Sequence, residues 1–159
     1  MRKRCTGKIL IVVILFLFAC AGSSHAATLS GVGFKYTGLM LFTQSGLVSQ
    51  MFPAVDVIFE FNPKNRAEGI FWFGPGGIAA MGVGYTSRLA AGKIYNPYLG
   101  LEVLFSGALL LTLKGGVEID FGRTSVYAGA GYVNAFGYVY QGFMGAECGI
   151  RYYFGRPAA

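Results

Sequence analysis

The sequence predicts an all-β protein: an up-and-down antiparallel transmembrane β-barrel, most simply of eight strands, that follows a cleaved signal peptide. Three observations lead to this prediction. The chain begins with an export leader, it is 54% hydrophobic but only 13% charged with 25 glycines, and several segments alternate between apolar and polar or glycine residues. Because successive residues of a strand point to opposite faces, such segments have one apolar and one polar face.

The leader occupies residues 1–26. A basic start (residues 1–8) precedes an apolar run (9–19) and a small-residue exit at 24–26, which is the organisation of a secretory signal. The apolar run is too short to remain in a bilayer as a helix. We therefore expect cleavage after Ala26, leaving residues 27–159 as one barrel domain.

A competing interpretation starts from residues 17–20, which read Leu-Phe-Ala-Cys. This segment is similar to the lipobox of bacterial lipoproteins, in which Cys20 would become the lipidated first residue. The sequence leaves cleavage after Ala26 and lipidation at Cys20 as alternatives.

Charge and rare residues exclude several functional classes. The leader holds four of the 13 bases, so the rest of the chain has nine bases and seven acids. This near balance does not provide the basic surface that binding of nucleic acid needs. His25 is the one histidine and leaves with the leader, so no histidine triad or histidine metal site can form. After cleavage Cys148 is the one remaining cysteine, which excludes an internal disulfide. We expect neither enzymatic activity nor a cofactor or metal.

Strands are predicted by alternation along the mature chain. The clearest segments are 53–61, 97–105, 108–121 and 142–154. Weaker alternation occurs at 31–36, 79–86 and 126–132, and the short segment 69–73 is aromatic on both sides. A membrane-crossing strand needs about 9–11 residues, so eight strands fit the available length comfortably and ten would be cramped.

The connections between strands divide into two sets. Polar or glycine-bearing segments at 62–68, 87–93 and 121–124 are predicted turns, which lie on the periplasmic side if the N-terminus does. The outward loops are then 38–50, 74–77, 106–107 and 134–141.

The charged residues of the strands lie on the face opposite the apolar rows. A base on the lipid face at mid-bilayer would cost about 2–4 kcal/mol, so a membrane enforces this arrangement. A soluble barrel with an apolar core would alternate in the same way, but bulky residues fill the apolar rows while glycine occupies the other, crowded face. The predicted inward ionic network consists of Lys35, Asp56, Glu60, Glu102, Lys114, Glu118, Asp120, Glu147 and Arg151.

These inward charges must pair, because an eight-stranded barrel is only wide enough for its own side chains. We expect Lys114 to neighbour Glu102 across the 106–107 hairpin. Lys35 and Arg151 should meet acids near the seam between the first and last strands. The acid pairs at 118 and 120 and at 56 and 60 belong to this network rather than to a catalytic centre.

Together with the alternating strands, three segments carry a family resemblance: 97–100 (Pro-Tyr-Leu-Gly), 129–132 (Gly-Ala-Gly-Tyr) and the closing 149–154 (Gly-Ile-Arg-Tyr-Tyr-Phe). Over most of residues 28–154 the chain resembles the small outer-membrane β-barrel proteins of the OmpA/OmpX type. The resemblance implies location in the outer membrane of a Gram-negative envelope. It also implies contact with the lipid of that membrane and with the barrel-assembly machinery during insertion.

A non-enzymatic structural or surface-interaction role is the leading functional prediction. The first and last loops would supply its contacts, through Phe42, Phe136, Tyr138 and Tyr140. One alternative is a small pore or transporter for small solutes. Another is a soluble or lipid-anchored periplasmic barrel that binds a small apolar ligand.

Overall fold

The structure is a computed structural model that describes residues 28–43, 46–90, 92–137 and 141–155. Eight antiparallel strands follow one another, each paired with the next, and the last pairs with the first to close a barrel. This confirms the predicted eight-stranded barrel. The strands are β1 (Thr28–Thr43), β2 (Gly46–Glu60), β3 (Asn65–Gly74), β4 (Gly77–Arg88), β5 (Tyr95–Phe105), β6 (Leu109–Phe121), β7 (Thr124–Phe136) and β8 (Gln141–Tyr153). No helix among the described residues is long and apolar enough to cross a bilayer.

The barrel has two distinct ends. We call the end that holds the start of β1, the end of β8 and the connections 61–64, 89–94 and 122–123 the turn end. The opposite end, with the β1–β2, β3–β4, β5–β6 and β7–β8 connections, is the hairpin end. The predicted division into two sets of connections is therefore the observed one, although several predicted bounds are wrong.

The predicted turn at 62–68 is too long. The Asn62 side-chain oxygen accepts the backbone N–H groups of Lys64 and Asn65 at 2.9 Å each, which reverses the chain within a few residues. Strand β3 therefore begins at Asn65, and Arg66 and Glu68 belong to it. The predicted strand 69–73 is the second half of this longer strand.

The predicted turn at 87–93 is wrong in the same sense. Strand β4 continues to Arg88, whose backbone N–H donates to the Lys64 carbonyl at 2.7 Å.

The third turn is tight, because Gly122 adopts a φ of 64°, a left-handed conformation that glycine takes without steric cost. Strand β6 thus ends at Phe121, and β7 begins at Thr124.

Two predicted loops at the hairpin end are partly or mostly strand. Residues 38–43 pair with residues 46–51, so β1 and β2 form a continuous hairpin where a loop at 38–50 was predicted. This hairpin extends beyond the barrel wall, because β2 pairs with β3 only from Ala54 onward and β1 pairs with β8 only up to Met40. In the predicted loop 134–141, residues 134–136 belong to β7 and 141 to β8.

The two faces of the wall differ in polarity as the alternation predicts. Leu99, Leu113 and Ile150 point outward and are 54–64% exposed. Lys35, Glu147 and Arg151 point inward and are buried. The apolar rows therefore do not pack together in a core, which is the reverse of a soluble barrel.

The interior is filled in two layers. An apolar layer lies toward the hairpin end, where the Trp72 and Phe52 rings stack with centroids 5.4 Å apart. Its buried members are Ala54, Ile70, Trp72, Ala80, Leu104, Leu110 and Val133. The charged side chains occupy the other layer, between these residues and the turn end.

The closure register can be tested by crosslinking. Val32 of β1 lies directly opposite Tyr152 of β8, and directly opposed residues are about 4.5–5.5 Å apart at Cα, within disulfide range. With the native cysteines replaced by serine, we expect Val32→Cys with Tyr152→Cys to oxidise to a circular chain with altered gel migration. Val32→Cys with Ile150→Cys, two residues out of register, should not crosslink; the opposite pattern would contradict the register.

Candidate functional site

The interior ionic layer is the densest group of polar side chains in the described residues. Its charged members are five bases and five acids, all buried, so their formal charges cancel. Seven of the eight strands contribute charges, and β7 contributes Ser125 and Tyr127. The ten are Lys35, Arg66, Arg88, Lys114 and Arg151, with Asp56, Glu68, Glu102, Glu118 and Glu147.

One half of this layer is a lysine cluster built around Lys35 and Lys114. Lys35 Nζ lies 2.8 Å from Glu102 Oε1 and 3.5 Å from Asp56 Oδ1. Lys114 Nζ donates to the same Glu102 oxygen and lies 2.9 Å from Glu147 Oε1. Two bases thus bridge three acids, and Lys35 reaches from β1 across the lumen to Glu102 on β5.

Tyr98 holds Glu147 from the side. Its hydroxyl donates to Glu147 Oε1 at 2.9 Å, and the ring passes directly over Gly116 and Gly129. A Cβ atom at either glycine would collide with the Tyr98 hydroxyl or with the neighbouring backbone. Glycine is therefore required at these inward positions, because the Tyr98 side chain and the backbone of the neighbouring strand occupy the space.

The other half is an arginine cluster centred on Glu118. Arg88 donates to both carboxylate oxygens of Glu118, at 3.0 and 3.2 Å, which is the strong bidentate arrangement. Arg66 Nη1 reaches Glu118 Oε2 at 2.7 Å from the opposite wall. The hydroxyls of Ser125 and Tyr153 also donate to Glu118.

Glu68 is the second acid of the arginine cluster. Arg66 Nε donates to Glu68 Oε1 at 2.7 Å, and Arg151 Nη2 donates to the same oxygen at 3.1 Å. Thr86 donates to it as well, at 3.3 Å. Glu68 therefore ties β3, β4 and β8 together.

Tyr127 connects the two clusters. The Arg151 guanidinium lies 3.5 Å from the centre of the Tyr127 ring, within cation–π range, and the Tyr127 hydroxyl donates to Asp56 at 3.3 Å. The lysine cluster has one excess negative charge and the arginine cluster one excess positive charge. The clusters therefore compensate each other as well as pairing internally.

Two of the predicted network acids lie at the mouth of the turn end instead of deep inside. Glu60 Oε1 is 3.5 Å from Arg88 Nη1, and Asp120 accepts a hydrogen bond from Asn96 at 2.8 Å. Both line an open depression of about 1070 Å³ together with Arg88 and Lys93. The remaining seven predicted members lie in the two clusters, and Lys114 contacts Glu102 across the β5–β6 hairpin.

Arg66, Glu68 and Arg88 lie outside the predicted network, because the segments that contain them predict turns. A signal for them existed. The predicted interior held six acids and three bases, and a closed barrel cannot bury such an excess of one sign. The missing bases had to come from segments adjacent to the predicted strands.

Of the four predicted loop contacts, only Phe136 has its side chain among the described residues. Phe136 is the last residue of β7 and is half-buried. Phe42 belongs to β1 by its backbone, and its side chain lies outside the described part of the chain, as do Tyr138, Tyr140 and Cys20. Cys148 is a free cysteine on the exposed outer face.

The contacts of the interior ionic layer suit a role in supporting the barrel wall. Each of the five buried acids contacts at least one base, and the described residues contain no group of three potential metal ligands among His, Cys, Asp and Glu. A void between the two layers, lined by Thr37, Trp72 and Thr112, measures about 20 Å³, which is close to the space that one water needs.

Comparison with known proteins shows a similar fold in a solved structure. The chain is similar to the crystal structure of Neisserial surface protein A, with a TM-score of 0.61 and 14% sequence identity; the likeness covers 82% of this chain and 100% of that one. No protein-family model matches the chain, and no curated protein matches it. At this identity, the likeness shows a shared eight-stranded barrel fold.

Lys114 provides the sharpest test of the network. Lys114→Met leaves Glu102 and Glu147 short of one base in a buried site, so we expect the free energy of unfolding to fall by about 3–5 kcal/mol. Denaturant unfolding followed by the fluorescence of Trp72, the one tryptophan, measures this. The double variant Lys114→Met with Glu147→Gln restores the charge balance and should recover most of the loss. An unchanged Lys114→Met variant would show that the pairing contributes little.

Proposed function

We propose that this chain is an integral barrel of the bacterial outer membrane with a non-enzymatic structural or surface-interaction role. The observation that carries the proposal is the inverted polarity of the wall. Large apolar side chains are exposed on seven of the eight strands, among them Leu99, Leu113 and Ile150, while five bases and five acids are buried within. In water, this arrangement would leave the apolar side chains exposed to solvent and the charges buried. In a bilayer, the apolar side chains contact hydrocarbon, which requires an apolar outer wall.

Two further features support the membrane location. A closed barrel pairs all of the backbone groups of its wall, which a strand within lipid must do. The structural neighbour is named as a surface protein of Neisseria, and the predicted leader at residues 1–26 would direct the chain to export.

The filled interior favours a role that does not depend on transport. Trp72, Leu104 and Leu110 belong to an apolar layer across the lumen, and the lysine and arginine clusters fill the space toward the turn end. This packing gives no support to the alternative of a solute pore. The alternative of a barrel with an internal apolar ligand also lacks support, because the layer's own side chains occupy that space.

Membrane insertion can be tested on the outer face. Leu113→Arg places a charge on a wall position that is 64% exposed, which costs about 2–4 kcal/mol near the bilayer centre. We expect refolding from urea into lipid vesicles to fall sharply, measured as the fraction that migrates differently on a gel before and after boiling. Gly155→Arg, in the exposed segment after β8 where an added Cβ atom meets nothing within 4 Å, is the matched control and should refold like the parent. Equal yields for the two variants would contradict a lipid-facing wall.

The closed interior predicts electrical silence. In planar bilayers, we expect the refolded protein to give no reproducible conductance steps at low protein load, since the apolar layer blocks the lumen. Trp72→Ala with Leu104→Ala removes the largest buried side chain of that layer together with one of its leucines and serves as the comparison. Reproducible steps from the parent protein would favour the pore alternative.

A further inference from the structure

The charges outside the interior network are distributed very unequally between the two ends of the barrel. The ranges 36–55, 69–87, 103–113 and 124–146 contain no Asp, Glu, Lys or Arg. Each of the four hairpin-end connections lies inside one of these ranges. The hairpin end and the adjacent half of the wall therefore carry no charged side chain.

The turn end, in contrast, is ringed by bases. Each of its three connections carries one exposed base: Lys64 between β2 and β3, Lys93 between β4 and β5, and Arg123 between β6 and β7. Arg156 follows β8 in the sequence. The connections recur at every second strand of the closed barrel, so the bases are spread around its circumference.

The acids of the turn end do not share this outward position. Glu60 and Asp120 line the central depression, where Glu60 lies beside Arg88 and Asp120 accepts from Asn96. The rim therefore presents exposed bases, whereas its two acids are half-buried; Lys93 lines the depression as well.

Exposed apolar side chains lie immediately beside these bases. Ile94 and Tyr95 follow Lys93 in sequence and are 61% and 64% exposed, and Phe121, two residues before Arg123, is 56% exposed. Aromatic and basic residues in this combination are typical of the membrane–water boundary, where rings lie at the headgroup level and cations reach the phosphates.

On the basis of the membrane location proposed above, we propose that the turn-end bases form a ring that binds the phosphate headgroups of anionic phospholipids. The circumferential placement identifies the partner. A soluble anion or an acidic peptide would contact one side of the rim, whereas a lipid leaflet surrounds the barrel and meets all three turns at once. Each base near an anionic lipid surface contributes attraction that falls off within a Debye length.

The hairpin end carries no charged side chain that would match the ring. That end offers no lysine or arginine to the headgroup phosphates of the opposite leaflet, so its contacts there are apolar or neutral hydrogen bonds. The barrel thus discriminates between the two leaflets by charge. With the turn end in the periplasm, the ring faces the phospholipid leaflet of the outer membrane.

Spin-labelled lipids test the ring on the inserted barrel. The refolded protein is placed in phosphatidylcholine vesicles that contain a trace of spin-labelled phosphatidylglycerol or spin-labelled phosphatidylcholine. The fraction of each lipid immobilised at the barrel gives the relative affinity. We expect the parent to prefer phosphatidylglycerol several-fold, and the preference to weaken as salt is raised.

The triple variant Lys64→Gln, Lys93→Gln, Arg123→Gln should lose most of this preference while keeping its heat-dependent gel migration. The matched control Lys64→Arg with Lys93→Arg keeps the charges and should keep the preference. A parent barrel that inserts but binds both lipids equally, or a triple variant with unchanged preference, would overturn the ring. Failure of the parent to insert would instead contradict the membrane location itself.

Discussion

A closed barrel of eight strands leaves room inside for its own side chains and little else, so any charge enclosed there must meet an opposite charge. The rest of this structure depends on that constraint. Five bases and five acids satisfy it, and several of their contacts cross the lumen, as from Lys35 on β1 to Glu102 on β5 and from Arg66 on β3 to Glu118 on β6. Such contacts join strands that share no backbone ladder.

The demands of the ionic layer explain other residues of the interior. Tyr98 can hold Glu147 because Gly116 and Gly129 leave space for its ring. Tyr127 lies between Arg151 and Asp56 and so joins two clusters of opposite net charge. With the apolar layer above, these side chains close the lumen. What the protein offers to other molecules is therefore its outer wall and its two ends.

Those ends differ because the charges that do not belong to the network are confined to one of them. Lys64, Lys93 and Arg123 are exposed at the turn end, while four long uncharged ranges make up the hairpin end. A wall that is apolar outside and charged at one rim has a built-in direction relative to a bilayer. The β1–β2 hairpin, which extends past its neighbours, gives the uncharged end its most prominent feature.

The sequence by itself determined the fold class and the direction in which the residues of its alternating segments point. It could do so because alternation with period two is local: Glu147 and Arg151 share a face whatever the rest of the chain does. Only the tertiary structure decided the strand ends and the partners of most charges; the Lys114–Glu102 pair across one hairpin is the exception. Arg66 and Arg88 lie beside turn-forming residues, so the sequence alone predicts them in turns. In the structure, the Asn62 reversal and the β3–β4 ladder place them in strands. That Arg66 meets Glu118, 52 positions away, follows from closure and register, which no local pattern in the chain encodes.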